Sequence, residues 1–330
     1  MNVPSNTAQN HTKIFFAMGT AVSLTIYTDA PDEQILDESE NIVKHLESLF
    51  STMRQDSDIS RINIAAGLWC TVHTDTDEIL QKAIYFAQKT DGAYEPAIFS
   101  LVRLWDIKSK IGKKETLTIP NEKSIREVLC KCDWHNIETD GNKRYRMLNG
   151  AEIDLGAAAK GFTSEKICKF FSLKNINSAM VSLGNSSIAF MGTKPDGSLW
   201  KAGLKVPGAL GNEYFAVVSL KDKFLSVSGG YERYFVKDGK RYHHIFDKKT
   251  GYPTESGLES VTVISDDAAL SEAYSTALFV MGPETALDFY KQNDGFEAVF
   301  VTSSKHVYCT DGLKSNFEFC GKPYGYLYRG

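Results

Sequence analysis

The sequence has no excess of positive charge, no long apolar run and no regular pairing of cysteines. Its 37 basic residues face 41 acidic ones, a net charge of −4. No basic stripe with interleaved aromatics is present, which argues against nucleic acid as a partner. No stretch approaches the length of a membrane span, so no membrane insertion is expected. Met1 to Lys13 is polar and lacks the apolar centre of a signal peptide. The expectation is a soluble chain that stays in the cytoplasm. The six cysteines, Cys70, Cys130, Cys132, Cys168, Cys309 and Cys320, are scattered. The single Cys-x-Cys pair has no second pair to complete a zinc site, and unpaired thiols fit a reducing compartment. Repeats, low-complexity tracts and a Gly-x-x-x-x-Gly-Lys-Ser/Thr phosphate loop are missing too. What is there is an ordinary globular composition, 42% hydrophobic over 330 residues, long enough to bury a full core.

Residues 1–12 read as a flexible N-terminal tail and 13–330 as one large domain. Ile14 to Tyr27, rich in Phe, Val, Ile and Thr, reads as a strand pair broken at Met18-Gly19-Thr20. Pro31 opens a helix with Ile35, Ile42, Leu46 and Leu49 on one face. Ser57 to Asn63 reads as a short capped turn. Asp75 or Thr76 caps the next helix, which Asp91-Gly92 stops. Lys108 to Lys123 reads as an exposed loop. Glu152 to Gly156 reads as the end of a strand, with a helix from Ala157 to Phe171 behind it. Short strands and turns fill 178–264, two helices follow at 267–281 and 283–292, and strands near 297–302 and 306–310 come last. Helices and strands interleave without a regular βαβ period. The fold class expected is therefore α+β: a single large domain of mixed, mostly antiparallel sheets with packed helices.

Four segments carry candidate chemistry. Tyr242 to Pro253 places a histidine pair before a Thr-Gly-Tyr-Pro turn. Histidine exchanges a proton near neutral pH, and in a strand His243 and His244 face opposite sides; a lone histidine is also often structural. Glu272 and Thr276, at i and i+4, share one helix face. Carboxylate and hydroxyl oxygens suit Mg²⁺ far better than zinc. Read singly, the pair is an exposed acid and a hydroxyl bonded back to its own helix. Asp154 to Gly161 joins an acid, small residues and Lys160 at a helix start, where free amides favour phosphate; the plain alternative is a tightly packed helix start. Ser226 to Tyr234 joins two strands through Gly229-Gly230, so Ser228 can face a phosphate or simply a hairpin, and Arg233 reads as part of a structural ion pair.

Together these segments resemble the ApbE family, the FAD:protein FMN transferases, over about residues 14–310. Met18-Gly19-Thr20 is similar to the family's opening Met-Gly-Thr, and Ser57 to Asn63 to its Ser-x-x-Ser-Arg-x-Asn segment. Gly92-Ala93-Tyr94-Glu95-Pro96 falls where members carry Gly-Ala-Phe-Asp-Pro, with Leu104-Trp105 after it. Asp154 to Gly161 fits Asp-Leu-Gly-x-x-Ala-Lys-Gly. Ser182-Leu183-Gly184-Asn185 resembles the Leu-Gly-Gly-Asn turn with one glycine lost. His244 to Pro253 matches His-Ile-Ile-Asp-Pro-x-Thr-Gly-x-Pro, with Lys248 in place of proline. Glu272 stands where the family usually carries a metal-binding aspartate, and its extra methylene moves the oxygens by about 1.5 Å.

The resemblance implies an enzyme that moves FMN from FAD to a threonine or serine of an acceptor flavoprotein with an FMN-binding domain, releasing AMP. It implies Mg²⁺ on Glu272, Thr276 and the Ala157 carbonyl. His244, Glu272 and Lys160 take the catalytic roles. Met18, Ala93, Tyr94, Glu95, Asp154, Lys160, Ser228 and Ile245 line the FAD pocket. Two alternatives use the same residues: an Mg²⁺-dependent FAD pyrophosphatase that gives FMN and AMP, and a non-catalytic FAD-binding protein.

Overall fold

The computed structural model describes residues 9–29, 33–111 and 117–329. The chain opens with a hairpin, β1 (Gln9–Ala17) and β2 (Thr20–Thr28), that turns at Met18-Gly19. Helices α1 (Glu33–Phe50) and α2 (Asp58–Ile64), strand β3 (Cys70–Thr71) and helix α3 (Thr74–Lys89) follow. Short helices α4 (Phe99–Trp105), α5 (Ile107–Lys110) and α6 (Glu122–Leu129) lead to β4 (Ile137–Thr139), β5 (Arg144–Met147) and helix α7 (Ala159–Leu173). A run of strands comes next: β6 (Ala179–Leu183), β7 (Ser187–Met191), β8 (Trp200–Lys205), β9 (Tyr214–Leu220), β10 (Lys223–Gly229), β11 (Tyr234–Lys237), β12 (Lys240–His243) and β13 (Leu258–Ser265). Helices α8 (Ala268–Met281) and α9 (Pro283–Gln292) precede β14 (Phe296–Thr302), β15 (His306–Cys309), β16 (Phe317–Phe319) and β17 (Leu327–Tyr328).

Nine strands form the central sheet in the order β1-β2-β6-β7-β10-β13-β14-β15-β17. Every pairing in it is antiparallel except β15 with β17. Both faces are covered, and β14 shows how. Phe296, Ala298 and Phe300 join the core built with α3 and α8, whereas Val299 and Val301 join the core beneath the small β16-β9-β8 sheet. Alternate side chains thus feed two cores, and each fully buried Val or Phe contributes roughly 1.5–3 kcal/mol. The architecture is α+β and mostly antiparallel, as the irregular alternation of elements predicts. Among the described residues, no helix is long and apolar enough to cross a membrane.

Several local expectations change. Gln9–Thr12 belong to β1 rather than to a tail, because they pair with Thr25–Thr28 through the main chain, which polar side chains do not advertise. Residues 1–8 and Pro31 lie outside the described residues, as do 112–116 in the expected 108–123 loop, whose ends fall in α5 and α6. Ser57 does cap a turn, but the turn continues as helix α2, and the N-cap of α3 is His73, two residues before Asp75. No strand ends at 152–156. The Asn63 side chain takes the place of a neighbouring strand there, accepting from the Ile153 amide at 2.7 Å and donating to its carbonyl at 2.9 Å. On the other side the Asp154 amide donates to the Pro96 carbonyl at 2.8 Å. β12 stops at His243, so only that histidine is in a strand.

Candidate active site

The centre of the site is the junction of α7 and α8. α7 starts without a side-chain cap of its own, because Ala158 occupies the N-cap. Its first amides need acceptors, and α8 supplies one: Glu272 Oε2 accepts the Gly161 amide at 2.8 Å. In a regular turn that amide would aim at the Ala157 carbonyl, so Glu272 competes with this carbonyl for it. The other carboxylate oxygen meets the Lys160 ammonium in an ion pair. Glycine at 161 permits the approach, since a Cβ there would stand 2.2 Å from the Ala268 carbonyl oxygen. Glu272 is 4% exposed, not the solvent-facing acid of the plain reading. Burial first, and the Arg233 guanidinium second, pull the Lys160 ammonium below the usual lysine range.

One turn further along α8, the hydroxyls of Ser275 and Thr276 meet Ser228 at the end of β10. Ser228 Oγ lies 2.9 Å from Ser275 Oγ and 3.1 Å from Thr276 Oγ1. Thr276 also donates to the Glu272 carbonyl at 3.3 Å, the back-bond that its helical spacing allows. The side-chain donors on this stretch of α8 and the end of β10 are all oxygen: the Glu272 carboxylate, and three hydroxyls that meet one another and the Glu272 carbonyl. An ammonium already stands against the carboxylate, so the position accepts a cation. This set fits a hard divalent ion such as Mg²⁺.

His244 faces the same cations. Its ring Nδ1 lies 3.3 Å from the Arg233 carbonyl, which also accepts the His244 amide at 3.2 Å. A carbonyl can only accept, so Nδ1 carries the proton and Nε2 keeps its lone pair. Burial, then the Arg233 charge, hold the imidazole down at about 3, with His243 and Lys160 adding to the effect. It is neutral at pH 7. His243 turns the other way, into the protein, with Nε2 3.0 Å from the Thr254 carbonyl. Arg233 makes no ion pair among the described residues, contrary to the sequence expectation. Its main chain orients His244, and its guanidinium is exposed beside the site.

The remaining candidates have partners of their own. The Met18 sulfur accepts from Thr163 Oγ1 at 3.6 Å, one turn beyond Lys160, and the Met18 amide is held by Glu47 Oε1 at 2.6 Å. Tyr94 lies in the main core, and its buried hydroxyl has no hydrogen-bond partner among the described residues. Ala93 packs at the rim of that core. Glu95 is buried, with Oε2 3.0 Å from Lys248 Nζ; burial raises its carboxyl, and Lys248 opposes this. Burial likewise raises Asp154, whose Oδ1 accepts the Gly156 amide at 2.6 Å. Ile245 sits in the core and spends its amide on His243 Nδ1 and its carbonyl on Thr254. Glu47, Ser275, Thr163 and the Lys248 partnership were not foreseen. A cavity of about 650 Å³ lined by Lys223, Asp266, Tyr290 and Glu297 lies elsewhere and includes none of the candidates.

Known proteins share this arrangement of chain and fold. The sequence model of the ApbE family matches residues 18–300. A Treponema pallidum (strain Nichols) protein named FAD:protein FMN transferase is 28% identical, covering 92% of this chain and 88% of its own. A protein of the same name from Klebsiella pneumoniae (strain 342) is 30% identical, covering 91% and 92%. The crystal structure of the ApbE protein of Thermotoga maritima is similar with a TM-score of 0.84 at 32% identity, covering 93% of this chain and 99% of that one. This chain belongs to the ApbE family.

Proposed function

We propose that this chain transfers FMN from FAD to a threonine or serine hydroxyl of an acceptor flavoprotein with an FMN-binding domain, releasing AMP. The relatives bear the name of this activity. The observations that support the reading are the Lys160–Glu272 ion pair, the contact of the Ser228 and Thr276 hydroxyls, and the charge of Lys160 acting on His244. The six thiols are free, which suits a reducing compartment, and the reading places the reaction in the cytoplasm.

Glu272, Thr276 and the Ala157 carbonyl would hold Mg²⁺, which when bound neutralises charge on the diphosphate as its P–O bond breaks. The chain's own residues do the rest. His244 Nε2 takes the proton of the acceptor hydroxyl, whose oxygen attacks the phosphorus of the FMN half. The bond from that phosphorus to the bridging oxygen breaks, and AMP departs with the oxygen. Lys160 and Arg233 supply positive charge to the diphosphate. The same anion raises the proton affinity of His244 from its low resting value toward the range useful for a base. Tyr94 and Met18 would line the flavin half.

The test is AMP release from FAD and Mg²⁺ with and without such an acceptor domain. AMP that appears only with the acceptor supports transfer. Equal release without it makes the chain a pyrophosphatase. FAD bound without any AMP makes it a carrier.

A further inference from the structure

Away from this cluster, the start of α3 lies against α1 and brings two imidazoles and a carboxylate together. His45 projects from α1, His73 is the N-cap of α3, and Asp75 lies in its first turn. Asp75 Oδ2 is 3.3 Å from His73 Nδ1 and 3.9 Å from His45 Nε2. The two rings meet edge to face with centroids 5.1 Å apart. One donor atom from each residue falls within 4.8 Å of the other two. The second Asp75 oxygen is held at 2.7 Å by Lys166 Nζ, which also binds Glu78 at 2.7 Å. The carboxylate is therefore fixed from behind, as outer-shell partners fix metal-bound carboxylates.

We propose that His45, His73 and Asp75 form a binding site for a borderline divalent transition-metal ion of the Zn²⁺ type. Bonds of about 2.0–2.1 Å in a tetrahedron put donors roughly 3.4 Å apart. The two separations from Asp75 Oδ2 bracket that spacing, so side-chain rotation alone closes the site. Imidazole favours zinc, nickel, cobalt and copper over magnesium, so this site does not compete for the ion assigned to Glu272. His73 Nδ1 now accepts the Asp75 amide at 3.2 Å, and the ion takes the place of that cap bond. Both histidines are exposed, which gives the ion a route in. A fourth position stays open to water or a small anion, beside a shallow cleft of about 460 Å³ lined by Glu38, Ile42, Leu46 and Phe170. A bound ion ties α1 to α3.

The test is calorimetric titration of the metal-stripped full chain with Zn²⁺ in excess Mg²⁺. One Zn²⁺ per chain is expected. His45→Ala and His73→Ala should each weaken it by at least about tenfold, with Glu272→Gln leaving it unchanged. Thermal unfolding should rise with Zn²⁺ in the wild type and not in the two histidine variants. His45→Ala should retain FMN transfer, which separates this site from the reaction. No uptake, or uptake indifferent to both histidines or lost in Glu272→Gln, overturns the proposal.

Discussion

The Arg233 carbonyl accepts two hydrogen bonds from His244, one from its amide at 3.2 Å and one from ring Nδ1 at 3.3 Å. A main-chain acceptor fixes the tautomer without depending on the identity of side chain 233. Side chain and carbonyl at this residue therefore do separable jobs. Arg233→Gln should keep Nε2 as the free base and so retain much of kcat, while removing a cation should raise the KM for FAD. A loss of kcat as deep as that of His244→Ala would contradict this division.

In the proposed reaction, His244→Ala removes the base. Removal of a general base costs about 10²–10⁴ in rate, so flavin transfer to the acceptor should fall by that factor. FAD affinity, followed by flavin fluorescence, should stay within a few-fold of wild type. Transfer at wild-type speed would take His244 out of the reaction.

Two neutral histidines in the folded chain make stability depend on pH. Burial holds His243 at about 4 and His244 at about 3, whereas unfolded histidine takes a proton near 6.5. Between those values the unfolded state binds more protons, so stability falls as pH drops from about 6.5 toward 3 and is insensitive to these two groups above it. The urea midpoint should be lower at about pH 5 than at about pH 7, and His243→Gln should flatten the difference. Parallel slopes for variant and wild type would show that His243 does not bind its proton this way.

Glu272 accepts the Gly161 amide at the start of α7 and, in the proposed reaction, would offer its carboxylate to the metal. Glu272→Asp should keep Mg²⁺-dependent binding of FAD, and Glu272→Gln should weaken Mg²⁺ by more than about tenfold. Titration of Mg²⁺ into the FAD-loaded chain reads this directly. Equal Mg²⁺ affinity in Glu272→Gln would remove residue 272 from the ligand set.

Gly161 sets the spacing of α7 and α8. An alanine Cβ there would meet the Ala268 carbonyl oxygen at 2.2 Å and the Ala269 amide nitrogen at 3.0 Å. Main-chain atoms of two packed helices give way poorly, so Gly161→Ala should cost about 1–3 kcal/mol in denaturant unfolding. It should also loosen Glu272 from the Gly161 amide. No change in stability would mean that the helices separate freely.

Much of this site is legible in the sequence, for reasons that differ by residue. Glu272 and Thr276 share one face of α8, as a spacing of four in a helix dictates, while their metal role comes from the family resemblance. The strand run from 178 to 264 follows from alternation and turn residues. Partnerships between main chain and distant side chains leave no such trace. Asn63 completes the hydrogen bonding of Ile153 from 90 positions away, so 152–156 reads as a strand although no strand lies beside it. Lys248 and Glu95 are 153 positions apart, and neither charge announces the other. Gln9–Thr12 look like tail because an edge strand is held by its backbone, not by apolar side chains. The Arg233 carbonyl is invisible for the same reason: every residue has one.

The most direct measurement is the intact mass of an FMN-binding acceptor domain after incubation with this chain, FAD and Mg²⁺, followed by mapping of the modified residue. A mass gain equal to FMN less one water, on one threonine or serine, absent when that residue is alanine and matched by AMP released, is the predicted result. An unmodified acceptor alongside consumed FAD would contradict the account.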